Sequence, residues 1–410
     1  MANRKRAERV IKKIGSSRVI WFPESNRWVE FREPAWFVYK KHEEGADEQT
    51  VTGLLSERYG LPGSEARRFF SEILEGIRTS ALAGFKPAPG VPEGICRQDK
   101  AMRFRTRHYL VNKKHITISY GSPDMEFYIH RPLAWLETEN APLGSLHLEV
   151  LTTEYPPGFQ HHPKSRNTSE QENPQKIYCI SRKGETQHKF NDAGMLKHRL
   201  YVEVTSHIYG IPAQNWMSYI HAAAVTNGRE AILLSSASGS GKSTMAALLQ
   251  LPGHKSITGR EDIFFMSDDF VPVDATSLKA FAFPAALNIK EGSFPVIDAF
   301  YPHRDDADNG YSMPGNLHTR YLRPRFPAGD IYEPRAVKKI IFIRYTPQVR
   351  FKMERLPIIK ALSMFHEEAW VSHNPGHAQR FIDWFAELEC YRLEYSDNKT
   401  AVEAVGDLFD

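Results

Sequence analysis

The sequence has few cysteines, no long apolar run and almost no net charge. Cys96, Cys179 and Cys390 lie far apart and show neither the spacing of metal ligands nor an even disulfide count. They predict buried or incidental thiols in a reducing compartment. No apolar run approaches the roughly eighteen residues of a membrane helix, and the N-terminus lacks the apolar segment of a signal peptide. We therefore expect a cytoplasmic protein with no membrane partner.

The charge is nearly balanced along the chain. It has 53 basic and 49 acidic side chains and a net charge of +4, so nucleic acid is not expected as a partner. One local basic cluster lies at the N-terminus, where the pattern predicts a solvated first helix or a frayed tail. The cluster comprises Arg4, Lys5, Arg6, Arg9, Lys12 and Lys13.

Length and composition predict two or three globular domains. The chain has 410 residues, of which 41% are hydrophobic and 25% charged. Residues 1–79 predict a small domain, because residues 18–32 have the pattern of a β-hairpin and three stretches with helical spacing follow. Residues 80–95 are rich in Pro, Gly and Ala and predict a linker.

The rest of the chain divides into two regions. Residues 96–210 predict a β-rich middle region, because apolar and polar residues alternate at 115–120, 146–150, 176–180 and 200–204. Residues 152–175 between those strands predict a mobile surface loop, and its His161 and His162 lack the third ligand that a metal site needs. Residues 211–410 predict an α/β domain. Its strands are expected at 231–235, 262–266, 337–345 and 390–395, and its helices at 242–250, 356–369, 379–388 and 401–409.

One motif between a predicted strand and a predicted helix has the pattern of a phosphate-binding loop. The segment SSASGSGKST begins at Ser235, and its small residues allow consecutive backbone amides to face one anion at a helix N-terminus. Lys242 is expected to reach the outer phosphates of a nucleotide, and the Ser243 hydroxyl to ligate magnesium. Ser236 stands where the first glycine of such loops is usual. We expect ATP and Mg²⁺ as ligands, with the nucleotide bound by Ser238, Gly239, Ser240, Gly241, Lys242, Ser243 and Thr244.

A pair of carboxylates follows the next predicted strand. Asp268 and Asp269 come directly after DIFFMS, and ligands of α/β sheets bind outside the carboxyl ends of strands. One carboxylate would hold magnesium while the other accepts a proton from the acceptor hydroxyl. The alternative is an Asp pair that caps a turn.

The order of these motifs resembles the kinase domain of HPr kinase/phosphorylase, which has the phosphoenolpyruvate-carboxykinase-like fold. SYIHAAAV, GREAILLSSASGSGKSTMAALL, GHKS and SDDFVPVD carry the resemblance over residues 217–274. It implies catalytic roles for His221, Lys242 and Asp268, with Asp268 as the base, and magnesium ligation by Ser243 and Asp269. Thr244 replaces an acidic residue of that family, so HPr itself is not expected as the substrate.

The N-terminal pattern of two strands and three helices resembles the PqqD-type peptide-recognition fold, a small winged-helix-like domain. The resemblance implies capture of a leader peptide by strand addition. Together the resemblances imply an ATP-dependent Ser/Thr kinase that acts on a peptide or protein, such as a ribosomally made precursor peptide. The alternatives are a small-molecule kinase and a nucleotide-switched P-loop ATPase or binding module. The sequence does not determine the oligomeric state, and a homo-oligomer is one alternative.

The long polar segment 301–334 is a further candidate, as an active-site lid. Arg320, Arg323 and Arg325 in this segment could supply positive charge to the transferring phosphate, and the alternative is that they are plain surface residues. Lys290 and Ser293 in NIKEGS are similar candidates.

Overall fold

The chain has a mixed α/β fold with several sheets and, among the described residues, ten α-helices. A computed structural model describes residues 8–82, 104–142, 144–154, 176–182, 188–251, 257, 262–301, 311–313, 317–326 and 331–409. No helix in these ranges combines the length and the apolar character that crossing a membrane requires.

The helices in chain order are α1 (Ala35–Glu43), α2 (Glu48–Tyr59), α3 (Gly63–Leu82), α4 (Pro123–His130), α5 (Ala193–Tyr209), α6 (Lys242–Leu249), α7 (Phe294–Phe300), α8 (Ile358–Phe365), α9 (Pro375–Ala386) and α10 (Asn398–Gly406). The strands are β1 (Val10–Ile14), β2 (Ser17–Phe22), β3 (Arg27–Phe31), β4 (Arg105–Val111), β5 (Lys114–Tyr120), β6 (Glu137–Thr138), β7 (Leu146–Glu154), β8 (Lys176–Arg182), β9 (His188–Phe190), β10 (Trp216–Ile220), β11 (Ala222–Thr226), β12 (Glu230–Ser235), β13 (Phe264–Ser267), β14 (Val271–Asp274), β15 (Lys279–Ala280), β16 (Leu287–Lys290), β17 (Tyr311–Met313), β18 (Leu317–Leu322), β19 (Arg335–Tyr345), β20 (Phe351–Arg355), β21 (Ala369–Val371) and β22 (Glu389–Tyr395).

The N-terminal domain is a three-stranded antiparallel sheet followed by α1 to α3. The predicted hairpin is β2 and β3, and β1 pairs with the other edge of β2. The prediction of a helix or frayed tail is wrong for Lys12 and Lys13, which lie on β1. Lys12 Nζ is 2.6 Å from Asp383 Oδ1 on α9, so this charge is paired rather than merely solvated. Arg4, Lys5 and Arg6 lie outside the described residues.

This domain packs directly on the C-terminal region. Trp21 and Trp28 are buried in the same hydrophobic cluster as residues of the central sheet, and Trp28 stacks on Phe381 of α9 with ring centroids 6.0 Å apart. At the hairpin turn, Asn26 Nδ2 donates a 2.6 Å hydrogen bond to the Val371 carbonyl at the end of β21. The N-terminal domain therefore shares a core with the domain that carries the predicted phosphate loop. The predicted linker begins inside α3, and residues 83–95 of it lie outside the described residues.

The middle region contains the sheet β6-β4-β5-β7-β8-β9 and the helices α4 and α5. Three of the four predicted strands are confirmed, but the segment 200–204 is helical. Its apolar residues are buried together with Leu196 and Ile208, so tertiary packing of α5 overrides the local alternation. His161 and His162 lie outside the described residues. The expectation of three thiols is wrong for Cys179, which is disulfide-bonded, whereas Cys390 is a buried thiol.

The C-terminal region is built on a ten-stranded sheet in the order β13-β11-β12-β19-β15-β14-β10-β21, with β22 pairing with β19 and β20. One face packs against α8, α9 and the N-terminal sheet, and the other face packs against α6, α7 and α10. The predicted helix 356–369 is shorter, because α8 ends at Phe365 and β21 begins at Ala369. A small sheet, β16-β18-β17, lies beside α6.

Candidate functional site

The predicted site residues meet at one edge of the central sheet. β12, β19 and β22 are mutually parallel, and β13 runs in the same direction because both β13 and β12 are antiparallel to β11. The four strands therefore end at the same edge. The predicted phosphate loop, residues 236–241, follows β12 there, Asp268 follows β13, and Tyr345 and Tyr395 are the last residues of β19 and β22. His221 directly precedes β11 at the same edge.

The loop between β12 and α6 has the backbone form that its small residues allow. Gly239 and Gly241 adopt φ angles of 84° and 102°, and a Cβ on Gly241 would lie 3.0 Å from the Tyr395 hydroxyl. Ser236, in place of the usual glycine, is not among the residues with positive φ, so serine causes no backbone strain there. The Lys242 ammonium lies 2.5 Å from the Ser236 carbonyl, folded over the loop.

Ser243 and Asp268 form a hydrogen-bonded pair beside the loop. The Ser243 hydroxyl is 3.0 and 2.9 Å from the two carboxylate oxygens of Asp268, and the Asn288 N–H donates to the same carboxylate. Asp268 is only 4% exposed. Burial, followed by the negative charge of Asp269, raises the pKa of Asp268 to about 7. A carboxylate buried beside a hydroxyl becomes fully ionised when a cation arrives.

This donor set fits magnesium. Carboxylate and hydroxyl oxygens are hard ligands, and Mg²⁺ is usually held by one or two carboxylates together with phosphate oxygens and water. Among the described residues, no group of three or more His, Cys, Asp or Glu side chains could hold a metal ion.

Asp269 contacts His221, whereas Asp268 contacts Ser243. Its φ of 60° is a left-handed conformation that aspartate tolerates better than most residues. Asp269 Oδ1 is 3.1 Å from His221 Nε2, and Glu368 Oε2 is 2.7 Å from His221 Nδ1. These two hydrogen bonds raise the pKa of His221 to about 9 against the effect of burial. Burial acts to raise the pKa of Asp269, but the hydrogen bond and charge of His221 outweigh it and hold that pKa below its usual value.

Two cavities meet at His221 and Asp269. The first, about 660 Å³, has the phosphate loop along one side and includes Lys242 and Ser243 in its lining. We call it the loop cavity. The second, about 610 Å³, adjoins the first at His221 and Asp269 and lies against α5 and β21. We call it the α5 cavity. Asp269 and His221 line both, whereas Asp268 lines neither.

Both candidates from NIKEGS lie at the loop cavity. Lys290 Nζ is 2.5 Å from Ser238 Oγ, and the Thr244 hydroxyl donates a 2.6 Å hydrogen bond to Ser293 Oγ. β16 and α7 thereby contact the loop and the start of α6. Tyr345 and Tyr395 also line this cavity, with their rings edge to face at 5.7 Å, and the Tyr345 N–H donates to the Ser240 carbonyl of the loop. These tyrosines were not predicted as site residues, although both end a predicted strand.

The three arginines of the predicted lid do not line the loop cavity. Arg320 Nη1 is 3.1 Å from Asp298 Oδ1, and its guanidinium lies 3.8 Å from the centre of the Phe294 ring. Arg323 lies over Trp135, and Arg325 donates from its backbone N–H to the Gln250 side chain. Within segment 301–334, residues 311–313 and 317–322 are the strands β17 and β18, and Thr319 lines the cavity. Residues 302–310, 314–316 and 327–330 lie outside the described residues.

The α5 cavity contains groups that the sequence analysis did not single out. Lys197, Tyr128 and Tyr201 come from the middle region, and Tyr219 and Trp370 come from the central sheet. The segment 200–204 was predicted to be a strand, whereas Lys197 and Tyr201 lie one helical turn apart on α5. Leu196, Leu200, Val204 and Ile208 recur every four residues, and a run of this length exceeds a usual strand and is the signal that could have identified the helix.

The charge of His221 predicts a pH dependence of stability. Because its pKa is about 9 in the fold and about 6.5 otherwise, its stabilising contribution is fully present below about pH 6.5 and is lost as the pH rises through about 9. Thermal unfolding of the wild type and of His221→Asn should therefore differ most below about pH 6.5 and converge above about pH 9. The control is His42→Asn on α1. A difference between wild type and His221→Asn that does not change with pH would contradict the charged hydrogen-bonded pair.

The comparisons with known proteins identify no family, because no protein-family model and no curated protein matches this sequence.

Proposed function

We propose that this protein is an ATP-dependent kinase that phosphorylates a hydroxyl of a peptide or protein, with the HPr kinase-like fold in its C-terminal region. One observation carries the proposal. The loop with Lys242, the Ser243–Asp268 pair and the Asp269–His221 pair meet at one sheet edge, between two cavities that share the Asp269 carboxylate. A nucleotide on one side and an acceptor on the other would then face each other across a carboxylate.

In the proposed reaction, groups of this protein bind the nucleotide phosphates, orient the acceptor and accept one proton. Backbone amides of the loop and the Lys242 ammonium bind the phosphates, and Lys290 adds a second positive charge at the loop cavity. Ser243 and Asp268 would hold Mg²⁺, which neutralises charge on the phosphates. The acceptor oxygen forms a bond to the γ-phosphorus while the bond from that phosphorus to the leaving ADP oxygen breaks. The proton of the acceptor hydroxyl passes to Asp269.

In this proposal Asp269 is the base and Asp268 is a magnesium ligand, which is the reverse of the roles that the sequence resemblance implies. A base must lie within hydrogen-bond reach of the acceptor, and geometry takes precedence over pKa in such an assignment. Asp268 is buried against Ser243, whereas the Asp269 side chain is 46% exposed and lines both cavities. His221, held by Glu368, orients Asp269 and keeps it ionised.

A transfer assay tests the proposed function. The protein is incubated with Mg²⁺ and ATP labelled at the γ-phosphate, together with precursor peptides that contain serine or threonine. We expect one phosphate per acceptor residue and an equal amount of ADP. Production of ADP with a peptide-independent rate and no labelled peptide would favour the nucleotide-switched ATPase. Labelling of small hydroxyl compounds but of no peptide would favour the small-molecule kinase.

We also propose that the N-terminal domain, with its PqqD-like pattern, binds a peptide at the outer edge of β3. Support comes from the sheet order β1-β2-β3, in which β3 has a strand partner on one side only among the described residues. Such an edge can add a strand from another chain. The same domain contacts β21 through Asn26, and β21 carries Trp370 of the α5 cavity. A peptide bound at β3 would thus be held close to the site of transfer.

Substrates that lack the bound segment should lose kcat/KM mainly through KM, because the segment would contribute binding away from the reacting atoms. Kinetics are measured with the full chain, since the isolated hairpin and helices would expose Trp21 and Trp28. The free leader segment added separately should inhibit phosphorylation of the full peptide competitively. Equal KM values for the full and truncated peptides, without inhibition by the leader segment, would contradict peptide recognition and leave packing or dimerisation as the role of this domain.

A further inference from the structure

The α5 cavity contains one unpaired positive charge. The Lys197 side chain is partly buried, and its ammonium lies 5.1 Å from the centre of the Tyr128 ring and 5.4 Å from that of Tyr201. Within the part of the chain that the structure describes, this ammonium has no hydrogen-bonding or ion-pairing oxygen. Aromatic faces stabilise a cation only partly, and burying it without an anion is costly. Consistent with this, burial lowers the pKa of Lys197.

The acidic groups of the same cavity are already engaged or lie at its rim. Asp269 and Glu368 both bond to His221, and Asp192 caps the start of α5 by accepting from the Met195 N–H. The Glu367 side chain is 80% exposed. Lys197 therefore remains as the charge available to a ligand, and it is the one lysine or arginine among the described residues that line the cavity.

The shape of the cavity limits what can bind. Its volume of about 610 Å³ suits a group the size of one or two residues. Rings of Tyr128, Tyr219 and Trp370 form much of its lining and provide faces for an apolar or planar group. Lys197 does not line the loop cavity, so its charge belongs to the acceptor side rather than to the nucleotide side.

We propose that the α5 cavity is the acceptor site and that Lys197 binds a carboxylate of the acceptor, next to the hydroxyl that faces Asp269. A carboxylate is favoured over a phosphate because a single ammonium matches one negative charge, and a dianion would also face Asp269 and Glu368. This inference rests on the proposed function. For a peptide acceptor, it means that the reacting serine or threonine has an acidic group immediately beside it.

The inference is tested with two matched probes, N-benzoylserine and N-benzoylserinamide, which share the hydroxyl and the aromatic group and differ in the carboxylate. Binding of each to the full chain is measured by calorimetry in the presence of Mg²⁺ and ADP. We expect the wild type to bind the acid about ten- to a hundredfold more tightly than the amide, the range for a charge-assisted hydrogen bond. In Lys197→Met, which keeps the apolar stem, the two affinities should become equal.

The control is Lys360→Met, at an exposed lysine of α8, which should keep the preference of the wild type. Equal affinities of the wild type for acid and amide, no binding of the acid at millimolar concentration, or an unchanged preference in Lys197→Met would each overturn the inference. Tighter binding of O-phosphoserine than of N-benzoylserine, lost in Lys197→Met, would overturn the choice of carboxylate. Nucleotide affinity is measured in the same samples. A failure of Mg²⁺ and ADP to bind would contradict the kinase, independently of the outcome for the acceptor.

Discussion

Lys242→Met should reduce phosphoryl transfer by about two to three orders of magnitude, the usual cost of removing one group that stabilises developing charge. The Lys242 side chain is 5% exposed and reaches over the loop to the Ser236 carbonyl, a position from which it can turn to an incoming phosphate. Methionine keeps most of the volume and removes the charge. The rate of labelled-phosphate transfer at saturating acceptor measures the effect, and circular dichroism confirms that the variant is folded.

Lys338→Met is the matched control, because Lys338 is an exposed lysine on β19 of the same sheet. It should retain the activity of the wild type. A folded Lys242→Met variant with full activity would show that the loop does not bind the transferred phosphate.

Asp269→Asn should lower turnover by about two to four orders of magnitude, the range for removal of a general base, while nucleotide binding stays close to that of the wild type. Asparagine keeps the shape and can still contact His221, but it cannot accept the hydroxyl proton. Pre-steady-state measurement of a single turnover separates this chemical step from product release.

Asp268→Asn provides the comparison. Because Asp268 lies against Ser243, this substitution should weaken the binding of Mg²⁺ with ATP and make activity depend on a higher Mg²⁺ concentration. If Asp268→Asn instead lost turnover with unchanged Mg²⁺ dependence, and Asp269→Asn lost Mg²⁺ binding, the original assignment suggested by the sequence resemblance would hold.

The local sequence pattern predicted the elements that meet at this sheet edge. The strands β12 and β19 contain the buried apolar runs AILL and IIFI, and small residues with Lys242 and Ser243 follow β12 in the order that a phosphate-binding loop would need. The rule that strand ends carry ligands then placed Asp268 and Asp269 beside the loop, as they lie in the structure.

Contacts between residues far apart in the sequence determine the features of the site that local sequence patterns did not predict. The middle region contributes Lys197 and Tyr128 to a cavity that Trp370 of β21 also lines, far along the chain, and no local spacing reports such a contact. The division of contacts between Asp268 and Asp269 depends on the left-handed turn at Asp269, which a bare SDD motif does not encode. Likewise, the hairpin pattern predicted β2 and β3, but it did not predict that Trp28 packs on Phe381.

Nucleotide binding by residues 236–244 is tested directly by an equilibrium titration of the wild type and of Lys242→Met with a non-hydrolysable ATP analogue in the presence of Mg²⁺. We expect saturable one-to-one binding to the wild type, loss of much of that affinity when Mg²⁺ is removed, and weaker binding to Lys242→Met. Absence of binding to the wild type, or equal binding to both proteins, would contradict the assignment of residues 236–244 as a nucleotide site.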